Sequence, residues 1–533
     1  MSAISPVAPT INLLDAAWLP VRMLDGHVKE VGLLEMFECA SQVEGLAETS
    51  PPNLVALYRL LLAITHRALT RSLGKWTDRD RARWYGEGLP TEALIEYLHH
   101  WRERFWLFHP EHPFMQVAAL ADAEETRDKL KPWTKIALGR AAGDSPVVFD
   151  HNVDTDPSQI SANEAIRNLL GYLQFVPGGL IKVLRTSDNA GPLANCAAVL
   201  PSGVNLCQSI ALALHPPTKT DSDTPAWEKT PPTIASLCEP ATLASGYVDC
   251  YTRQTRAILL KFDAETPHFV RWVYLAAGLA IRDDANAPDP MTPIRLSKTG
   301  PIPLRLSEGR ALWRDLATLM PNPTNDTLPA GVLGWAANLL QAAELFDSDL
   351  PVIVAGVCQD PRKAAKTVRW RNERYRLPAS TLLDVEVAQE VRSRLHDAND
   401  LFESIELIAA DMLAKTMPDS LSKDTRSRAR ASLHTGPFAT AYFSNAERGL
   451  PSLLHFIARG ELDAAHAQWC ASLLRASQLA WDAARGMLGQ SAAALRAEAI
   501  TVSKFQIAIK DVRMAAGAAP YAGTSTASQE AST

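Results

Sequence analysis

Between Pro378 and the C-terminus, three runs of apolar residues recur at alternating steps of three and four, and that spacing constrains the fold more than any other pattern in the chain. Ala388, Val391, Leu395, Ala398, Phe402, Ile405, Ala409 and Met412 form the first run, closed by Pro418. Leu462, Ala465, Trp469, Leu473, Ala476, Ala480, Ala483 and Met487 form the second, and Leu495, Ala499, Val502, Phe505, Ile509 and Val512 the third. A period of about 3.5 lines each set along one side of a helix, as a narrow seam that must be buried against other helices. A weaker helical segment, interrupted at Pro451, lies between residues 437 and 458. Four helices with short connections predict a four-helix bundle over 379–515. Residues 516–533, rich in Ala, Gly, Ser and Thr, read as a disordered tail.

Before Pro378 the pattern is mixed. VALYRLLLAITHRALTRSL (55–73) and TEALIEYLHHWRERFWLF (91–108) read as helices, the second ended before Pro110. Short β-like runs separate them, and the Pro- and Asp-rich stretches at 216–232 and 283–290 read as exposed loops. The fold class expected is therefore α+β: a large N-terminal mixed α/β domain over 1–378, followed by the bundle. A chain of 533 residues exceeds what one core serves, and its 47% apolar and 21% charged content is that of a folded soluble protein. No apolar run reaches the roughly 18–20 residues of a membrane span. The N-terminus lacks the basic and apolar regions of a signal peptide, so the expected location is the cytoplasm, with no membrane contact. The seven cysteines are scattered without a CxxC pair, which argues for free thiols rather than disulfides or cysteine-ligated zinc.

The chain carries a formal charge of -6, yet its cations concentrate in PVIVAGVCQDPRKAAKTVRWRNERYRLP (351–378). An apolar strand-like run ends at Gly356, a short polar turn follows, and then come Arg362, Lys363, Lys366, Arg369, Arg371, Arg374 and Arg376, opposed within the basic run by Glu373 alone. Concentrated positive charge on an acidic protein points to a polyanion contact, most simply a nucleic-acid backbone; the alternative is a solvated basic face.

Signs of catalysis are sparse. The sequence contains no P-loop, no dinucleotide-binding glycine fingerprint, no HExxH and no GxSxG. His109 and His112 stand three apart, but Pro110 and Pro113 break any helix that would align them on a metal. Phe149, Asp150, His151 and Asp154 form a loose His/Asp set that reads better as an ordered polar loop, and Asp283 and Asp284 sit in a Pro-rich loop. No catalytic residue, cofactor or metal is expected.

Several segments, taken in order, resemble one family: CasA, the large subunit of the type I-E CRISPR surveillance complex Cascade. They are NLLDAAWLPVR (12–22), LLEMF (33–37), LYRLLLAITHRAL (57–69), EHPFMQV (111–117), FDH (149–151), LQFVPGG (173–179), YTRQTRAILL (251–260), RALWRDL (310–316), the basic stretch and the terminal helices. Each is short, and the resemblance rests on their order and spacing along nearly the whole chain. It implies an N-terminal mixed α/β domain followed by a four-helix bundle, and a role in binding rather than catalysis. Such a subunit sits near the 5′ handle of the guide RNA, reads the protospacer-adjacent motif (PAM) in duplex DNA, starts strand separation and R-loop formation, and receives a helicase-nuclease. The implied partners are the crRNA, double-stranded target DNA, the backbone, small and handle-binding subunits of Cascade, and that helicase-nuclease.

The resemblance also nominates residues. A glycine-containing loop that reaches the PAM minor groove matches SDNAGPLANCAAVLPSG (187–203), with Gly191 at the approach position and Asn189 and Asn195 as donors and acceptors. An ordinary turn glycine is the alternative. A wedge-like hairpin beneath the PAM matches the turn Gln359–Lys366, where Pro361 stiffens the chain and Arg362, Lys363, Ala364 and Lys366 approach DNA. Lys261 and Arg282 are candidates for a lysine finger. A loop engaging the RNA handle matches Phe149, Asp150, His151 and Asn152, with Phe149 stacking on a base or else ending a strand in the core. The connection SLSKDTRSRARASLH (420–434) carries Lys423, Arg426, Arg428 and Arg430, which face the displaced strand, another subunit or solvent. Two other functions stay open: a stand-alone metal-dependent nucleic-acid enzyme working near His151, and a purely architectural ribonucleoprotein subunit.

Overall fold

The computed structural model describes residues 9–517 apart from 141–153, 180, 187, 218–221, 283, 285, 286, 299, 325, 361 and 362, with only the backbone described for 359, 360 and 363–368. The chain divides into two compact units: Met1–Arg310 with Thr318–Leu383, and Ala311–Ala317 with Asp384–Thr533.

The first unit mixes helices with small antiparallel sheets. Its helix Pro51–Leu73 starts on two prolines, where the first backbone N–H groups need no helical partner. Every residue from Pro51 to Leu69 is buried, so the helix is a core element rather than an amphipathic one. The buried Arg59 guanidinium on it meets Asp289 and lies 4.6 Å from the centroid of the Tyr251 ring. The sheet that contains the basic stretch has the order Lys363–Pro378, Asp349–Asp360, Ala197–Pro201. Its central strand is buried from Val352 to Cys358, as the continuous apolar run requires, with Val354 opposite Glu373 on one side and Val199 on the other.

The segment 91–108 is not one helix. Helix Thr91–His100 stops there, a 3-10 turn follows, and Trp106–Phe108 pairs as a strand with Thr10–Asn12. Consecutive bulky apolar residues favour a strand once a partner is available, and sequence distance hid that partner.

In the second unit the described helical segments are Val385–Ala414, Lys423–His434, Pro437–Glu447, Leu450–Ala458, Leu462–Leu488, Ala492–Ala508 and Lys510–Ala515. All eight residues of the first apolar run are buried. Trp313, from the short segment Ala311–Ala317, is fully buried, with ring centroids 6.1 Å from both Trp469 and Phe443. The start of the third run is corrected: Leu495 is 61% exposed and Ala499 is exposed, while Ala494, Ala497 and Thr501 face inward; Phe505 and Ile509, farther along the run, are buried as its spacing requires. Phe505 sets that rotation by stacking on Trp481 at 4.4 Å, and Thr501 hides its hydroxyl on the Ala497 carbonyl. The stretch read as a connection at 420–434 is also corrected, because Lys423–His434 is a helix. Ser422 caps it and Thr425, Ala429 and Leu433 bury one side at steps of four.

Candidate nucleic-acid interface

The loop after helix Ala162–Phe175 is closed at its neck by Arg256 at the start of strand Arg256–Leu260. The Arg256 guanidinium donates to the Pro177 carbonyl at 3.0 Å and the Asn189 carbonyl at 2.5 Å, and its Nε lies 2.9 Å from Asp188 Oδ2. Burial pulls the Arg256 pKa down, and the Asp188 charge opposes that. Backbone bonds from Gly179 to the Asp188 carbonyl and from Gly191 to the Val176 carbonyl complete the closure.

Gly191 sits inside this neck. A Cβ there would come within 2.6 Å of the Gln174 carbonyl oxygen, so the protein's own packing already requires the glycine. The exposed glycines are instead Gly178 and Gly179, the latter at φ 80 with open space around it. Reading 187–203 alone missed them, although the Gly-Gly pair ending LQFVPGG is itself a turn signal. Asn189 is exposed and donates to the Ile281 carbonyl at 3.0 Å, which sets it beside exposed Arg282. Lys261 follows the opposite end of strand Arg256–Leu260. Asn195 adopts φ 61 within a tight turn, a conformation that Asn tolerates.

The basic stretch is a long antiparallel hairpin rather than a strand followed by a broad turn. Pairing runs from Asp349 with Pro378 up to Asp360 with Lys363, so strand pairing extends into the stretch expected as a turn at Gln359–Lys366. Cross-strand pairing continues to satisfy backbone groups past Gly356, which composition alone did not reveal. Near the tip Gln359 pairs with Thr367, and residues 364–366 bulge between that pair and the next. Arg362 and Pro361, together with the side chains of Gln359, Lys363, Ala364 and Lys366, lie outside the described residues.

Farther from the tip, the strand separates its cations by face. Arg371 pairs with Glu373 and donates to the carbonyls of Ser307 and Arg310, while the Tyr375 hydroxyl donates to Glu373 at 2.5 Å. Trp370, Asn372, Arg374 and Arg376 alternate with them and are exposed.

Phe149, Asp150, His151 and Asn152 lie outside the described residues. Their C-terminal flank is anchored, since Asp154 pairs with Lys135 at 2.8 Å and the Trp133 indole donates to the Ser158 carbonyl at 2.8 Å. His109 Nδ1 accepts from the backbone N–H groups of Glu111 and His112, which explains the pair as a turn. Among the described residues no group of three or more His, Cys, Asp or Glu is arranged to hold a metal ion. Nor is any described helix long and apolar enough to cross a membrane.

On helix Lys423–His434 the four nominated cations differ. Lys423 and Arg426 are exposed, and Arg428 donates to Thr425 at 3.2 Å. Arg430 is committed to the fully buried Glu406 at 2.7 Å, which His434 also meets at 2.8 Å.

The geometry defines a mixed α/β unit with an arginine-bearing hairpin and a helical unit, and the comparisons with known proteins identify that class. The model of the CRISPR-associated protein Cse1 family matches residues 12–480. A CRISPR-associated protein CasA/Cse1 of Thermus thermophilus is 32% identical over 497 residues, covering 91% of this chain and 94% of that protein. The chain belongs to the Cse1 (CasA) family. Solved structures agree in fold. Thermus thermophilus CasA superposes with a TM-score of 0.79 at 28% identity, covering 95% of this chain and all of that one. A chain of a CRISPR RNA-guided surveillance complex gives a TM-score of 0.72 at 22% identity, covering 93% of this chain and all of that one.

Proposed function

We propose that this chain is the non-catalytic large subunit of a type I-E Cascade, which reads the PAM in duplex DNA and promotes local melting for crRNA-guided R-loop formation. The observation that carries this reading is membership of the Cse1 family across residues 12–480. The structure supports it with two features in the first unit: the closed loop presenting Gly178, Gly179, Asn189 and Arg282, and the hairpin at 349–378.

Glycines without Cβ let a backbone enter a minor groove about 6 Å wide, and Asn189 and Arg282 supply donors at its edge. The hairpin tip then acts as the wedge. Parting each base step costs a few kcal/mol, which contacts from Arg362, Lys363 and their neighbours offset. Guide pairing supplies the sequence specificity that the protein does not read. In this reading the loop at Phe149–Asn152 engages the crRNA handle, residues 379–515 form the four-helix bundle, and Lys423 and Arg426 face the displaced strand or another subunit. The subunit also receives the helicase-nuclease.

The test uses the guide-loaded complex carrying Gly179→Asp or Arg362→Ala/Lys363→Ala. Loss of PAM discrimination with the complex intact is the expected result. Full target affinity and discrimination in both variants would make the chain architectural.

A further inference from the structure

The outer strand of the hairpin, Lys363–Pro378, is an edge strand whose two faces carry opposite arrangements of charge. On one face Arg371, Glu373 and Tyr375 are tied together and to the 307–310 turn. On the other, Trp370, Asn372, Arg374 and Arg376 are all exposed, and neither arginine has a carboxylate partner among the described residues. Arg374 stands close enough to buried Tyr58 to lower the pKa of that hydroxyl, an effect smaller than the burial that pushes it up to about 12. Asp349, exposed at the hairpin root, shares this face by strand alternation but makes no ion pair with Arg376.

The aromatic is fixed in place. Trp370 is 41% exposed, and its six-membered ring rests on Gly139, where a Cβ would come within 2.5–3.0 Å of three ring atoms. Arg369, next to it at a register shift, is exposed as well. Alternate residues on a strand stand about 6.6 Å apart, so Trp370, Asn372, Arg374 and Arg376 form a straight ladder. That step is close to the repeat of an extended sugar-phosphate backbone. A rigid ring at one end and unpaired guanidinium groups beyond it are the components of a single-strand track: a base stacks on the aromatic and successive phosphates meet the cations.

We propose that this face of the outer strand binds single-stranded nucleic acid, with Trp370 stacking on an unpaired base and Arg374 and Arg376 holding the following phosphates. The inference rests on the nucleic-acid-binding reading above and extends it from the hairpin tip to the body of the strand. Charge complementarity and a half-exposed aromatic favour an unpaired strand over a duplex, whose bases are stacked away from such a ring.

The experiment measures binding of labelled oligodeoxythymidylate, oligouridylate and a random duplex to the full chain across a salt series. Arg374→Ala/Arg376→Ala should weaken single-strand binding and reduce the slope of log affinity against log salt by about 1.4, two phosphate contacts at roughly 0.7 each. Trp370→Leu should weaken it roughly fivefold or more, with Trp370→Phe retaining most of the affinity and thermal midpoints unchanged in the arginine and phenylalanine variants. A loss confined to the deoxy or the ribo strand supports the track and assigns its sugar. Unchanged affinity and slope in the arginine variant overturn the proposal. So does a Trp370→Leu variant that binds like the parent, because the arginines would then be a general polyanion patch. PAM discrimination by the assembled complex, measured on the same variants, separates the two readings: if it persists while single-strand binding is unchanged, only the track fails.

Discussion

Asp188 and Arg256 form an ion pair, 2.9 Å from Oδ2 to Nε, with both side chains 1% exposed. This pair fixes the loop that presents Gly178, Gly179 and Asn189, because the same guanidinium donates to the carbonyls of Pro177 and Asn189. Removing one partner of a buried pair leaves an uncompensated charge and costs about 3–5 kcal/mol. Arg256→Ala should therefore lower the thermal midpoint sharply and release backbone amides at 176–191 to hydrogen exchange. Normal protection of those amides in a folded Arg256→Ala chain would contradict this role.

The two kinds of glycine in that loop should respond differently to substitution. Gly191→Ala places a methyl group against the Gln174 carbonyl and should cost roughly 1–3 kcal/mol, lowering the unfolding midpoint. Gly179→Ala meets no neighbour within 4 Å but keeps φ 80, and should cost about 1–2 kcal/mol from backbone strain. If Gly179 approaches DNA, its variant should also lose PAM-duplex affinity beyond what its change in stability explains. Titration of matched duplex alongside thermal unfolding separates the two effects.

Arg430 and Arg426 provide a second contrast, on one helix. Both are exposed, but Arg430 meets buried Glu406 whereas Arg426 has no ion pair among the described residues. Arg430→Ala should destabilise by about 1–3 kcal/mol, the cost of a weakened charged hydrogen bond to a buried acceptor that His434 still contacts. Arg426→Ala should leave stability within about 0.5 kcal/mol. Urea midpoints of the two variants provide the check.

His66 and His215 stack at 3.8 Å inside the first unit. Burial lowers the His66 pKa from 6.5 to about 4, and His215 lies well below 6.5, through burial first and then the neighbouring His66 and Arg81 charges. Both are therefore neutral in the fold, while the unfolded chain takes up protons below about pH 6.5. Their contribution to stability is complete above that pH and declines as pH falls through the window from 6.5 to about 4, by up to roughly 1.4 kcal/mol per pH unit for each histidine. Urea midpoints between pH 8 and pH 4.5 should show this slope, and His215→Phe should flatten it. An unchanged slope in His215→Phe would assign the acid sensitivity to other groups.

The parts of the fold legible in the sequence were those fixed by local periodicity. The seam from Ala388 to Met412 is buried as its spacing requires, because every seam residue is apolar and the helix is long enough to average out exceptions. Ala492–Ala508 defeated the same reading, since its inward face is built from Ala494, Ala497 and Thr501, small or polar residues that carry little hydropathy signal. The charge of the 351–378 stretch was legible, but its division was not. Strand alternation, the Glu373 carboxylate and the carbonyls of Ser307 and Arg310 separate Arg371 from Arg374. Likewise, Arg430 read as a free cation because its partner lies 24 residues away on another helix. Gly191 was singled out for lacking a Cβ, and the reason for that lack is Gln174, a contact no local pattern encodes.

The most direct test of the central claim is target-duplex binding by the guide-loaded complex, with and without this chain, on PAM-matched and PAM-scrambled DNA. The chain should add affinity on the matched duplex alone, with a steep dependence on salt. Equal added affinity on both duplexes, or none on either, would contradict it.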